Sequence, residues 1–287
     1  MTFTPWRSLG KKTSFTEHSL AETLDGGQSF RWNQTDTGSL LGVWARNCVE
    51  LRLHSGRLEW RSPTQAPVSK EELERYLGLD GLHDQACDAL PWRSDPLLAT
   101  AMQRFPGLRL LRQPFGETLF GFLLSAVKSI PQIKEGCERA AASFGEEIVP
   151  GVWAMPDWED LVDISEEELR ACKFGYRAKY VWGTARFLSE RPGYLAQAEA
   201  ASYEDARAML MQLPGVGGKV ADCALLFGAG KWEAFPVDTW IAKVMNASYG
   251  LAGMSLDQVA HFGRVHFGSH AGLAQQFLFS AARRDAD

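Results

Sequence analysis

Lys219 lies within the stretch LPGVGGKVADC (residues 213–223), directly after a proline and three glycines and just before the chain turns apolar. An amine at the exit of a glycine-built turn can bind phosphate, face solvent or act as a nucleophile. Attack requires the neutral amine, and a helix start inside an apolar pocket favours that form through the dipole and desolvation. Nineteen positions on, Asp238 stands in FPVDTW, at the apparent N-cap of the following helix. An aspartate there satisfies helix amides. A Walker A loop also joins glycines to a lysine, but it needs a preceding strand and a Ser or Thr after the lysine. Here a helix pattern precedes the glycines and Val220 follows Lys219, so that reading fails.

These residues need helices to hold them. Residues 202–213 read as a capped helix ending at Pro214-Gly215, and a second helix starts near Lys219 with Val220, Ala221, Ala224 and Leu225 as its packing stripe. Gly215, Gly217 and Gly218, with Val216 between them, form a tight hairpin that can offer backbone N–H groups to phosphates. On the second helix Lys219, Cys223 and Phe227 fall at i, i+4 and i+8, one face. In AGLAQQFLFSAARR, Gln275 and Phe279 fall at i and i+4, so both can reach one pocket. Upstream, ETLFGFLLSAVKSI is apolar nearly all round and predicts a buried central helix. Pro131 opens the next helix, which ends at Gly145. SEEELRACKFG carries a capping box and a terminal glycine, and YRAKYVWGTARFLSERPG reads as a further helix.

The first hundred residues differ. VELRLHSGRLEWRS alternates with period two about a Ser55-Gly56 turn, a hairpin signature. LLGVWARN and GQSFRWNQ predict further strands, and SKEELERYLGL a short helix capped by Ser69 and Glu72. The expected fold class is α+β: a β-rich N-terminal portion (residues 1–112) leading into an all-helical body (residues 113–287).

At 287 residues, 45% hydrophobic and 23% charged, the chain can bury a sizeable core. No apolar run is long enough to span a bilayer, and the N-terminus lacks a signal-peptide core. The five scattered cysteines form no C-x-x-C pair and the six histidines show no ligand spacing, so no metal site is expected. A net charge of −5 does not advertise a nucleic-acid partner, so any grip on DNA must rest on backbone amides or a local patch.

Taken together, the lysine at the hairpin exit and the aspartate in P-V-D resemble the helix-hairpin-helix–Gly-Pro-Asp DNA glycosylases, in their lysine-bearing bifunctional form. GQSFRW, GYRAKYV, LPGVGGKVADC, PVD and AGLAQQFLFSA resemble, in that order and over nearly the whole chain, the 8-oxoguanine DNA glycosylase/AP lyase family. The resemblance implies an N-terminal antiparallel β-sheet domain packed on the helical body. It implies that Lys219 attacks C1′ of a flipped nucleotide and forms a Schiff base, with Asp238 orienting the amine and stabilising the sugar. It implies that Cys223 and Phe279 sandwich the base while Gln275 bonds its Watson–Crick edge. The carbonyl of Gly27 would accept the N7–H that marks 8-oxoguanine. Tyr176 would wedge into the duplex and Arg177 would read the opposite base.

Four positions depart from the family pattern. Val127 stands where an asparagine fills the space beside the orphaned cytosine, and Gln132 where some members place an arginine. Trp240 replaces a histidine near a backbone phosphate, and Phe227 a methionine lining the pocket. The first two imply a relaxed opposite-base preference. The expected partner is double-stranded DNA containing 8-oxoguanine or an abasic site, met by a monomer with no membrane association. No cofactor is required, and a structural cation at the hairpin is left open. The expected location is the cytoplasm, on the nucleoid in a bacterium, or the nucleus in a eukaryote. A glycosylase for another damaged base and a non-catalytic helix-hairpin-helix DNA-binding module are the competing readings. The second has no use for Lys219 and Asp238 together.

Overall fold

The structure is a computed structural model describing residues 1–10 and 13–284. Five antiparallel strands form the N-terminal sheet: β1 (Arg7–Ser8), β2 (Trp32–Gln34), β3 (Leu40–Trp44), β4 (Asn47–His54) and β5 (Arg57–Arg61), in the order β1-β5-β4-β3-β2. The β4–β5 hairpin turns at Ser55 and Gly56, both with positive φ (50° and 71°), as a two-residue turn matched to strand twist requires. Its register sets Leu51 opposite Trp60 and Leu53 opposite Leu58. One sheet face buries Trp32, Trp44, Leu51 and Trp60 against Leu73 and Tyr76. Trp32 Nε1 donates to the Tyr76 hydroxyl at 2.9 Å, so the buried phenol has a partner.

The N-terminal third holds more helix than its sequence predicts. Helix α2 (Lys70–Tyr76) was legible from its Ser69/Glu72 capping box, and both reciprocal bonds form. Three more are present: α1 (Glu17–Asp25), α3 (Leu82–Ala89) and α4 (Pro96–Arg104). Helix α1 is capped by Thr16 with Ser19 in place of the usual Glu or Gln, a weaker signal. Helix α4 starts at Asp95 with Pro96 behind it. Its Leu98, Ala101 and Phe105 lie in the core of the helical body, so that core draws on residues well before 113.

The body continues through α5 (Phe115–Leu123), α6 (Ile130–Phe144), a two-stranded ribbon of β6 (Glu147–Val149) and β7 (Val152–Trp153), and α7 (Glu166–Leu169). It ends with α8 (Ala178–Ser189), α9 (Tyr194–Ala200), α10 (Tyr203–Leu210), α11 (Gly218–Phe227), α12 (Thr239–Ser248), α13 (Leu256–Phe267) and α14 (Ala271–Arg284). The central helix is shorter than the apolar run predicts. It stops at Leu123, and Ser129 restarts the chain as the N-cap of α6, with Gln132 Oε1 accepting from the Ser129 amide at 3.0 Å. The intervening loop puts Val127 at φ 54° and 94% exposed, so this valine is not core. Among the described residues no helix is long and apolar enough to cross a membrane.

Candidate active site

Helices α10 and α11 form the expected hairpin. Gly215 has φ 79°, and a Cβ there would lie 2.3 Å from the Tyr180 ring, so α8 packs directly on the turn. Gly217 N-caps α11, and nothing stands within 4 Å of where its Cβ would be, which leaves its backbone open to approach. Val216 is buried and its amide donates to the Leu213 carbonyl at 3.1 Å. The two helices are stapled by Asp222, which accepts from Arg207 Nε (2.9 Å) and the Tyr203 hydroxyl (2.8 Å). Arg207 also reaches Asp257 at the start of α13.

Lys219 is the second residue of α11. Its Nζ donates to Ser125 Oγ at 3.1 Å and stands 5.1 Å from the centroid of the Phe122 ring. The amine therefore sits over an aromatic face, beside the loop between α5 and α6. Cys223, one turn on, is buried, and desolvation pushes its thiol up to about 12 against the pull of Lys219. At neutral pH Cys223 is a thiol that packs, not a thiolate that attacks. Phe227 stacks on Phe122 at 5.6 Å, so it contacts the floor beneath the amine from within the core.

Asp238 caps α12 through Oδ1, which accepts from the amides of Ile241 (2.9 Å) and Trp240 (3.0 Å). Burial raises its carboxyl above the ordinary value, opposed by the Ile241 amide and the Lys219 charge. Trp240 lies half-buried one turn from Lys243, whose Nζ stands 5.0 Å from its ring.

Gln275 is 4% exposed. Its Nε2 donates to the carbonyl of Pro236, two residues before Asp238, while its buried Oε1 has no partner. An orphaned acceptor at that depth carries a desolvation cost that a ligand donor would relieve. Phe279 is half-buried on the same helix face. Gly27 has φ 108°, and a Cβ there would lie 2.8 Å from Ile130 Cδ1 and 3.8 Å from Phe279. The Gly27 turn thus rests on Phe279 and on the first residue of α6. The chain from Ser125 to Ile130 spans from Lys219 to this turn and closes the ring of site residues. Gln28 fixes the turn from below, donating to the carbonyls of Thr23 and Arg109 and accepting from the Leu111 amide.

The DNA-facing candidates divide. Tyr176 is 45% exposed and meets Tyr180 edge to face at 6.0 Å, so a protruding aromatic stands next to the hairpin. Arg177 is 6% exposed, with its guanidinium bonded to the carbonyls of Phe174 and Ala126. In this conformation it clamps the Val127 loop and presents nothing to a base. Lys128 adds a second tie, Nζ to the Lys173 carbonyl at 2.7 Å. Gln132 is occupied as a cap. Ser125, Phe122, Gln28 and the Arg207–Asp222–Tyr203 staple escaped the sequence reading. Ser125 sits in a recognised segment and could have been found, whereas the staple's spacing has no signature. Among the described residues no three His, Cys, Asp or Glu side chains gather as a metal site would need.

A helix-hairpin-helix with a lysine at its exit and an aspartate capping the next helix defines the base-excision class of DNA repair protein. A model described as HhH-GPD superfamily base excision DNA repair protein matches residues 121–262, and one described as 8-oxoguanine DNA glycosylase, N-terminal domain, matches residues 12–119. The chain is 33% identical over 290 residues to the N-glycosylase/DNA lyase OGG1 of Arabidopsis thaliana, covering 94% of this chain and 79% of that one. It is 33% identical over 261 residues to a probable N-glycosylase/DNA lyase of Methanothermobacter thermautotrophicus, covering 82% of each. The fold superimposes on the Clostridium acetobutylicum 8-oxoguanine glycosylase/lyase, solved with double-stranded DNA containing cytosine opposite 8-oxoguanine. The TM-score is 0.88, at 29% identity over the whole of both chains. The chain belongs to the 8-oxoguanine DNA glycosylase family of helix-hairpin-helix base-excision repair proteins.

Proposed function

We propose that this protein excises 8-oxoguanine from duplex DNA and then cleaves the strand, with Lys219 as nucleophile. The observation that carries the reading is the Lys219 amine held by Ser125 above Phe122, at the hairpin exit and within the field of Asp238. The names of its relatives as N-glycosylase/DNA lyases support both activities. The hairpin amides bind the phosphates, and Tyr176 fills the gap left in the stack as the nucleotide swings out. The flipped base lies against Phe279 and Cys223, gives its Watson–Crick edge to the unpartnered Gln275 Oε1, and offers N7–H to the Gly27 carbonyl.

The neutral amine of Lys219 bonds to C1′ as the C1′–N9 bond breaks, and the departing base takes the electron pair and a proton. Loss of a proton from Nζ and opening of the sugar ring leave the Schiff base. Removal of a C2′ proton then expels the 3′ phosphate, and water releases the lysine. Asp238 stabilises the positive charge that develops on the sugar. No cofactor enters these steps. With Val127 bare, Arg177 turned inward and the Gln132 side-chain carbonyl taken by the Ser129 amide, these three positions offer the opposite base only the Gln132 amide NH2, so pairing preference is relaxed. The five free cysteines fit a reducing, DNA-containing compartment.

Borohydride trapping on a duplex containing 8-oxoguanine tests the reading. A covalent protein–DNA adduct forms with the wild type and is lost in Lys219→Gln. Failure of the wild type to trap, with tight binding retained, favours the non-catalytic binding module instead.

A further inference from the structure

Glu22 is completely buried in α1, yet it faces two cations from the other end of the chain. Arg283 Nη2 reaches its two carboxylate oxygens at 2.7 and 2.9 Å, and Arg284 Nε reaches one at 3.1 Å. The placement of this pair relates it to the base pocket. Arg283 lies one turn after Phe279 on α14, and Glu22 one turn before Gly26 at the end of α1. A Cβ on Gly26 would stand 2.0 Å from the Glu22 carbonyl oxygen and 2.7 Å from Glu22 Oε1, so the turn folds directly over this residue. The next residue, Gly27, rests on Phe279. A second tie, Lys134 Nζ to Asp25 Oδ1 at 2.6 Å, joins the end of α1 to α6, whose Ile130 is the other surface touching Gly27.

We propose that Glu22 is a positioning residue for lesion discrimination, which rests on the reading of Gly27 and Phe279 given above. The buried pair locks α1 to α14 and so fixes the Gly27 carbonyl relative to the face of Phe279. That geometry decides whether a base carrying N7–H is told from one that does not. Displacement of a recognition group by a fraction of an ångström costs rate at the bound base while leaving the sugar chemistry at Lys219 intact. Breaking the pair from the Glu22 side leaves two guanidinium groups without their carboxylate. Glutamine keeps the shape and part of the hydrogen bonding.

The test compares two substrates in Glu22→Gln and in Arg283→Lys, the second keeping the charge but losing the planar fork. Single-turnover excision of 8-oxoguanine falls about tenfold or more, while borohydride trapping on an abasic duplex, which has no base to recognise, stays within about twofold. Loss of both activities together makes the pair merely structural and overturns the proposal, as does retention of both. If Glu22→Gln fails to fold, the milder Arg283→Lys decides the matter by the same ratio. A wild-type protein that traps abasic DNA but releases no 8-oxoguanine refutes the parent reading. A wild type that releases it, with both variants equally able, refutes only the role of Glu22.

Discussion

Asp238 does two jobs that can be separated by choice of substitution. As the N-cap of α12 it takes the amides of Trp240 and Ile241 on one oxygen. In the proposed reaction it also acts as a charge on the sugar beside Lys219. Asparagine caps a helix as well as aspartate does, so Asp238→Asn keeps both amide bonds. Burial raises the Asp238 carboxyl, which means that the folded protein is strained by keeping it ionised. Removing the charge therefore leaves stability unchanged or slightly higher. Catalysis responds in the opposite direction. Loss of one preorganised electrostatic contact to a developing charge costs about 3–4 kcal/mol, or roughly 100- to 1,000-fold in the excision step. Asp238→Ala loses the cap as well, at about 1–2 kcal/mol. For a chain of this size that lowers Tm by about 2–4 °C per kcal/mol. The assay pairs single-turnover cleavage of lesion DNA with thermal melting. Asn should bind lesion DNA, melt like the wild type and cleave far more slowly, and Ala should also melt lower. An Asn variant with wild-type turnover and a depressed Tm would falsify the catalytic assignment and leave Asp238 as a cap.

Two further expectations concern specificity and pH. Excision rates measured opposite each of the four bases should lie close together, because Val127 and Arg177 offer no polar group to the orphaned base and Gln132 only its amide NH2; a strong preference for cytosine would sink that reading. Burial raises the Glu117 carboxyl from 4.5 to about 7, against the Ala45 amide that donates to it at 2.9 Å. A raised carboxyl contributes stability that is present below about pH 4.5 and is lost as the pH climbs to about 7. Glu117→Gln should therefore gain on the wild type across that window, by on the order of 3 kcal/mol, read as the difference between their melting curves. A difference that does not change with pH would contradict the assignment.

Much of the site was legible because its chemistry is tied to local pattern. The hairpin glycines, Lys219 and the capping Asp238 sit on helix boundaries that short-range rules locate well. Gln275 and Phe279 follow from one helix period. The boundaries of α5 were not legible, because an apolar run looks the same whether it is buried throughout or ends in an exposed valine. Only the Ser129 cap and Pro131 say where the helix breaks. Helices α1 and α3 were hidden by weak caps, Thr16 with Ser19 and a bare Gly81, whereas α4 carried a plain start signal in Asp95-Pro96 that escaped the sequence reading. Arg177 illustrates the deeper limit. The family resemblance implies a DNA contact there, yet in the folded chain the carbonyl of Ala126, 51 positions away, claims its guanidinium together with that of Phe174. Contacts at that separation leave no period in the sequence.

The bond between Glu22 and Arg283 also sets an order in time. The two residues are 261 positions apart, so the carboxylate is synthesised well before its partner. At roughly 5–20 residues per second, the interval is on the order of 10–50 s. Until α14 docks, the turn that carries Gly27 lacks Phe279 to lean on, and the Pro236–Asp238 segment lacks Gln275 to hold it. The arrival of that one helix therefore completes both the setting of Asp238 and the pocket that selects the base, so a growing chain gains reactivity and discrimination in the same step.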